Sequence, residues 1–179
     1  MPTDFQVPSE VSFQDAIALT QTLFTNIDQL ASSEVESHVA DLVATMNGAR
    51  GFFVTFLTNE FELDEEKKDA IATALRTAPD TVAGLLVKNL VMSTAMTLTH
   101  SRQNNPDMVQ QSQLTRERTA TVIDRVKLPA VEQEAQQLWQ SLTTDTGSYT
   151  DFLQRWGYDD EQKQAMQAAV SETFPALQP

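Results

Sequence analysis

The phrase VESHVADLVATMNGARGFFVTFL, Val35 to Leu57, decides the fold, because a similar phrase returns ninety-six positions later. The second copy is VEQEAQQLWQSLTTDTGSYTDFL, Val131 to Leu153, and it aligns with the first without a gap. The identical pairs are Val35/Val131, Glu36/Glu132, Leu42/Leu138, Gly51/Gly147, Phe56/Phe152 and Leu57/Leu153. The repetition predicts that each copy forms a helix, a break and a second helix.

The likeness continues on both sides of this phrase. Ile27-Asp28 corresponds to Ile123-Asp124, and after one deletion EEKKDAIATAL (Glu65–Leu75) corresponds to DEQKQAMQAAV (Asp160–Val170). Amphipathic helices of similar composition also align by chance, so the argument depends on the repeated order of the elements. A unit of three or four helices leaves an apolar face that a second unit can cover. We therefore expect a duplication with pseudo-twofold symmetry.

Local signals predict where the helices begin and end. Ser33 and Glu36 have the spacing of a capping box, and Val35, Val39, Leu42 and Met46 follow at helical intervals. In the second copy the loop-forming sequence TTDTG, at residues 143–147, interrupts the pattern. By correspondence we expect the first copy to break at residues 47–51, with a short helix beginning at Phe52.

The most apolar segment is VAGLLVKNLVMSTAMTL, Val82 to Leu98. It is marginally short for crossing a bilayer and contains Lys88 and Asn89, so it predicts a buried helix rather than a membrane span. The fold expected is one all-α domain of about eight helices. Repeat one covers about residues 12–78, a long central apolar helix covers 79–103, and repeat two covers 107–174.

Composition excludes several classes of function. The 179 residues contain no Cys and 2 His, which excludes disulfides and thiolate chemistry and argues against a histidine-rich metal site. The net charge of −13 disfavours binding to nucleic acid or to an anionic membrane. The first ten residues, MPTDFQVPSE, do not resemble a signal peptide, so we expect a cytoplasmic protein.

Charge is unevenly distributed along the chain. Residues 1–66 carry twelve acids and one base, residues 67–127 carry nine bases and five acids, and residues 128–179 carry eight acids and two bases. A mildly basic middle therefore lies between two acidic flanks. Either the acidic flanks or the basic middle could supply a surface that binds another protein.

A polar stripe in this basic middle is the candidate ligand site. Ser93, Thr97, His100 and Asn104 recur at helical spacing, and the turn NNPD, Asn104 to Asp107, would fold the next helix back against them. Arg116 and Arg118 would then lie beside the stripe, near its N-terminal end. His100, Arg102, Arg116 and Arg118 could together bind a carboxylate or phosphate, although a hydrogen-bonded structural seam explains the same residues.

Other motifs favour structural interpretations. The acidic turns at residues 59–69 and 158–162 lack the ligand pattern of a calcium loop and suit the N-termini of helices. His38 lies near acids without a nucleophile, and we assign Trp139, Trp156, Phe52, Phe53 and Phe56 to the core. No catalytic, phosphate-binding or dinucleotide motif is present.

These observations lead to three hypotheses of decreasing weight. The first is a non-catalytic helical protein, without metal or cofactor, that binds another protein, possibly a second copy of itself. The second is a domain that binds a small ligand or anion at the seam between residues 79–103 and 107–127. The third is an enzyme using His100 as its acid or base, since His100 is the plausible group near neutral pH on that seam.

Overall fold

In the computed structural model, which describes residues 5–177, the chain is all-helical, as predicted. The described residues form nine α-helices and two 3₁₀ turns and contain no strand. The α-helices are α1 Phe13–Thr25, α2 Ser32–Val43, α3 Met46–Thr58, α4 Glu65–Leu75, α5 Pro79–Arg102, α6 Pro106–Val126, α7 Pro129–Thr144, α8 Thr150–Trp156 and α9 Asp160–Thr173. The 3₁₀ turns are Ile27–Gln29 and Pro175–Leu177.

The chain divides into two compact units, Met1–Leu85 and Leu86–Pro179. The division falls inside α5, so this helix contributes residues to both units. The expectation of one all-α domain with a central helix at residues 79–103 stays a prediction. Each unit contains one of the proposed repeats.

In the first unit, α1 packs against α3 and α2 packs against α4. Ser12 caps α1 by accepting a hydrogen bond from the Asp15 amide at 3.1 Å, and Asp64 caps α4 by accepting one from the Lys67 amide at 2.8 Å. Aromatic rings fill the interior between the helices. The ring of Phe24 stacks on Phe61 and Phe56 with centroid distances of 4.1 and 5.3 Å.

The break in the first copy lies at Ala44–Thr45, so the prediction of a break at residues 47–51 was wrong. The Thr45 hydroxyl accepts a hydrogen bond from the Gly48 amide at 3.1 Å and starts α3. Gly48 and Gly51 lie inside α3. A side chain at either position would collide with a neighbouring segment of the chain, which explains why both are glycine. A Cβ on Gly51 would lie 2.4 Å from Ala16 Cβ, and one on Gly48 would lie 1.9 Å from the Leu42 carbonyl oxygen.

Helix α1 ends at Thr25 and the 3₁₀ turn Ile27–Gln29 follows it. The predicted start of the next helix moved. The cap of α2 is at Ala31 rather than Ser33, because Glu34 accepts a hydrogen bond from the Ala31 amide at 2.8 Å. Glu34 therefore has the role that the sequence had assigned to Glu36.

In the second unit, left-handed residues end three successive helices. Lys127 ends α6 with φ 47°, Asp145 ends α7 with φ 53°, and Gly157 ends α8 with φ 63°. The loop predicted at residues 143–147 begins two residues later, at Asp145, because α7 continues to Thr144. Helix α7 packs against α9, and Asp159 caps α9 by accepting a hydrogen bond from the Gln162 amide at 2.9 Å.

The internal symmetry stays a prediction. The N-caps Asp64 and Asp159 lie at corresponding positions of the two copies and both accept a hydrogen bond from the residue three positions later. The segments after the break differ, because α3 has 13 residues and α8 has 7. The two units therefore share an order of helices without sharing all helix lengths.

Helix α5 is mostly buried from Val82 to Ala95, so the burial predicted for Val82–Leu98 does not extend to the last three residues of that segment. Val82, Leu86 and Val87 have no exposed surface and Leu90 is 1% exposed, whereas Met96 is 37% exposed. By length and composition α5 could cross a membrane, and half of its most apolar window is buried within the protein.

Candidate functional site

Arg102, at the end of α5, is held by two carboxylates of the α9 N-terminus. Its Nη1 lies 2.6 Å from Asp159 Oδ2, and its Nη2 donates to Glu161. The hydrogen bonds to Asp159 and Glu161 raise the pKa of Arg102, and the hydrogen bond from Arg102 lowers the pKa of Asp159. Arg102 therefore ties α5 to α9.

The hydroxyl groups of the polar stripe on α5 donate hydrogen bonds to backbone carbonyls of the same helix. Ser93 Oγ donates to the Asn89 carbonyl at 2.6 Å, and Thr97 Oγ1 donates to the Ser93 carbonyl at 2.9 Å. Beside them, Gln162 of α9 donates to the Thr99 hydroxyl at 3.0 Å. These contacts resemble the structural seam that the sequence offered as the alternative to an anion site.

His100 lies partly buried near the end of this stripe. Its Nδ1 is buried and has no hydrogen-bond partner within residues 5–177. An imidazole nitrogen can accept or donate depending on the tautomer. Within residues 5–177, no described contact joins the His100 side chain to an acid, a base or a nucleophile.

Arg116 lies in a groove between α6 and α9, which we call the α6–α9 groove. The groove has a volume of about 380 Å³. Its apolar lining consists of Leu90, Ala120, Ile123 and Ala169, and its charged lining consists of Arg116, Glu117, Asp124 and Glu172. Among the described lining residues, Arg116 is the one that belongs to the predicted set of four. His100, Arg102 and Arg118 lie outside that lining, and Arg118 is half-exposed on α6.

A second feature, which the sequence did not predict, is an aromatic cluster around α8. The rings of Phe152 and Tyr158 have centroids 6.2 Å apart, and Lys88 Nζ of α5 lies 5.6 Å from the Phe152 ring centroid. Tyr149 is 5% exposed and donates its hydroxyl hydrogen bond to Glu134. Burial raises the pKa of Tyr149, with a contribution from Glu134, and burial raises the pKa of Tyr158 to about 12.

Trp156, the last residue of α8, is exposed, so its assignment to the core was wrong. Its exposed fraction is 57%, whereas Phe52 has no exposed surface and Phe53 is 1% exposed, as predicted. Phe56 and Trp139 are half-buried. The sequence signal that would have indicated this exposure is Gly157, which ends a helix of 7 residues directly after the tryptophan.

Phe152 and Trp156 are four residues apart on α8 and are therefore neighbours on one side of that helix. We call Phe152, Trp156 and Tyr158 the α8 aromatic surface. Asp151 precedes these three residues in the sequence and Asp160 follows them, and both aspartates are exposed. The arrangement combines apolar area with negative charge.

The part of the chain that the structure describes contains no group of three or more His, Asp or Glu residues that could hold a metal ion.

A family model described as Uncharacterised conserved protein UCP020893 matches residues 12–173. No curated protein matches the chain, and no solved structure matches it.

Proposed function

We propose that this chain, which belongs to the family Uncharacterised conserved protein UCP020893, acts without catalysis by binding another protein through the α8 aromatic surface. The observation that supports this proposal is the exposure of Trp156, at 57%. This exceeds the 53% of Met46, the next most exposed large apolar side chain in the described residues.

An exposed tryptophan is well suited to anchor a partner. Aromatic side chains bury a large area on contact, and tryptophan is enriched among the residues that dominate binding energies. Phe152 extends the same side of α8, and Tyr158 lies beside Phe152, so the tryptophan is part of a larger apolar area. A partner that covers this area would remove the cost of keeping it in water.

The charge of the chain indicates what kind of partner fits. The whole chain carries a net charge of −13, and residues 150–161 carry four acids and one base. A second copy of the chain would be repelled, whereas a basic partner would be attracted. We therefore favour a partner other than the chain itself.

The experiment is a quantitative pull-down from the native organism with wild-type protein and two alanine variants. Trp156→Ala removes the proposed anchor, and Met46→Ala is the matched control, because Met46 is similarly exposed but lies on α3. A protein recovered by the wild type and by Met46→Ala but lost with Trp156→Ala supports the proposal. Equal recovery by all three proteins contradicts it.

Affinity measurements with the purified partner give the magnitude. Removing a tryptophan anchor costs about 2 kcal/mol or more, so the Kd should rise by roughly thirtyfold for Trp156→Ala. Met46→Ala should leave the Kd unchanged within about twofold. Circular dichroism checks that both variants keep their helical content.

A further inference from the structure

We propose that the α6–α9 groove binds an elongated zwitterion, with a carboxylate at one end, an ammonium group at the other and an apolar chain between them. The groove lies outside the α8 aromatic surface, since its described lining does not include Phe152, Trp156 or Tyr158. This binding site is independent of the proposed protein partner.

The order of side chains along α6 gives the ligand its pattern. Arg116 and Glu117, then Ala120 and Ile123, then Asp124 line the groove in this order, so charged side chains lie at both ends of two apolar ones, with the arginine at the first end. Arg116 and Asp124 are eight residues apart, which corresponds to about 12 Å along a helix axis at 1.5 Å per residue.

The two charged ends are available to a ligand. Among the described residues, neither Arg116 nor Asp124 has an ion pair or a side-chain hydrogen bond. Between them, Ile123 is 7% exposed, and Leu90 of α5 and Ala169 of α9 are 1% and 3% exposed. These three side chains are already shielded from water, so the apolar middle of a ligand would gain contact mainly with the half-exposed Ala120.

Ligands with a single charge fit the groove less well. An anion that pairs with Arg116 would meet the negative charges of Glu117, Asp124 and Glu172. A cation that pairs with the carboxylates would leave Arg116 without a partner in a site from which the ligand excludes water. A molecule with both charges, separated along its length, pairs with both ends at once.

The test is isothermal titration calorimetry of the full chain with unbranched ω-amino acids of increasing length. The series is aminobutanoate, aminohexanoate, aminooctanoate and aminododecanoate, with octanoate and octylamine as ligands of single charge. We expect affinity to peak near aminooctanoate, because shorter chains cannot reach both ends and longer chains must fold back. Aminooctanoate should bind at least about tenfold more tightly than either single-charge ligand, because it gains one charged hydrogen-bond pair.

Two groove variants and one matched control identify the site. Arg116→Gln should weaken aminooctanoate to about the affinity of octylamine, and Asp124→Asn should weaken it to about that of octanoate. Arg155→Gln, which changes an exposed arginine outside the groove, should leave binding unchanged. All three sites have exposed or half-exposed side chains, so the variants should fold, which circular dichroism checks.

Several results would overturn the proposal. One is that no member of the series binds. Another is that affinity does not depend on chain length, or that octanoate or octylamine binds as tightly as aminooctanoate. Equal weakening by Arg155→Gln would also overturn it, because the response would then reflect net charge rather than the groove.

Discussion

Arg102 Nη1 lies 2.6 Å from Asp159 Oδ2, so the last residue of α5 binds the residue that caps α9. The same carboxylate group accepts a hydrogen bond from the Gln162 amide at 2.9 Å. One aspartate therefore serves both as a helix cap and as the partner of an arginine fifty-seven residues away. Arg102, one of the residues that the sequence had offered to an anion, is thus paired with carboxylates of the chain itself.

Acid should weaken this contact. Because the pKa of Asp159 is lowered from its ordinary value of 3.8, its ionised form stabilises the folded state above that pH, and this stabilisation is lost as the pH falls through the lowered value. We expect Arg102→Gln to lower the melting temperature at pH 7, and the difference from wild type to shrink below pH 3.8. Thermal unfolding followed by circular dichroism across this range measures it.

Arg155→Gln is the control for this experiment, because Arg155 is an exposed arginine of α8. Its effect should be small at every pH. A difference between wild type and Arg102→Gln that stays constant down to pH 2 would contradict the assignment to Asp159. Added salt should also reduce the difference, since exposed charges are screened.

Gly51→Ala should destabilise the first unit. The added Cβ would lie 2.4 Å from Ala16 Cβ, so α3 and α1 would have to move apart, at a cost of about 1–3 kcal/mol. Gly84→Ala is the matched control, because a Cβ there meets no atom within 4 Å and the helix gains about 0.4–1 kcal/mol. Urea unfolding distinguishes the two, and stabilisation by both substitutions would be inconsistent with the close approach at Gly51.

The two tyrosines should titrate at unusually high pH. Burial raises the pKa of Tyr158 from 10.0 to about 12, and burial together with Glu134 raises that of Tyr149. A phenol whose pKa is raised by folding contributes stability below its unfolded value, and this stability is lost as the pH rises through the folded value. Absorbance of tyrosinate near 295 nm should therefore show no ionisation centred at pH 10 while the protein is folded.

A substitution of each tyrosine assigns these steps. Tyr158→Phe should remove the ionisation near pH 12, and Tyr149→Phe should leave it in place. Both variants should also lose less stability than wild type between pH 10 and pH 12. An ionisation near pH 10 in either folded variant would contradict the burial of the remaining tyrosine.

The two kinds of apolar position in the second unit should respond differently to alanine. Leu138 has no exposed surface, so Leu138→Ala should lower the free energy of unfolding by about 2–5 kcal/mol. Trp156 is 57% exposed, so Trp156→Ala should change it by about 0.5 kcal/mol or less. A loss above that for Trp156→Ala would mean that the tryptophan supports the fold rather than a partner.

The sequence predicted the class of elements well because helical signals are local. The spacing of Val35, Val39 and Leu42 marks the buried face of α2, and each of the three has no exposed surface. Asp64 and Asp159 mark helix starts because a side-chain oxygen reaches a backbone amide three residues on. Pro129 and Gly157 mark a start and an end through their own backbone preferences.

The sequence failed where contacts across the fold decided the outcome. The segment Asn47–Gly51 looks like a break because glycine disfavours a helix, yet it lies inside α3. Gly51 is needed there because α3 approaches Ala16 of α1 too closely for a side chain. Trp156 looks like a core residue because tryptophan is apolar, yet the end of a short helix leaves it exposed. Neither outcome can be obtained from periodicity along the chain.

By itself, then, the sequence determined the helical class, the approximate position of each helix and the burial of α5 over most of Val82–Ala95, because these depend on hydrophobic spacing and on backbone preferences within a few residues. Only the tertiary structure decided that Arg102 pairs with Asp159, that Arg116 lines a groove and that Trp156 remains exposed. Those outcomes depend on which surfaces of distant helices meet, and amphipathic spacing fixes the buried face of a helix without fixing what covers it.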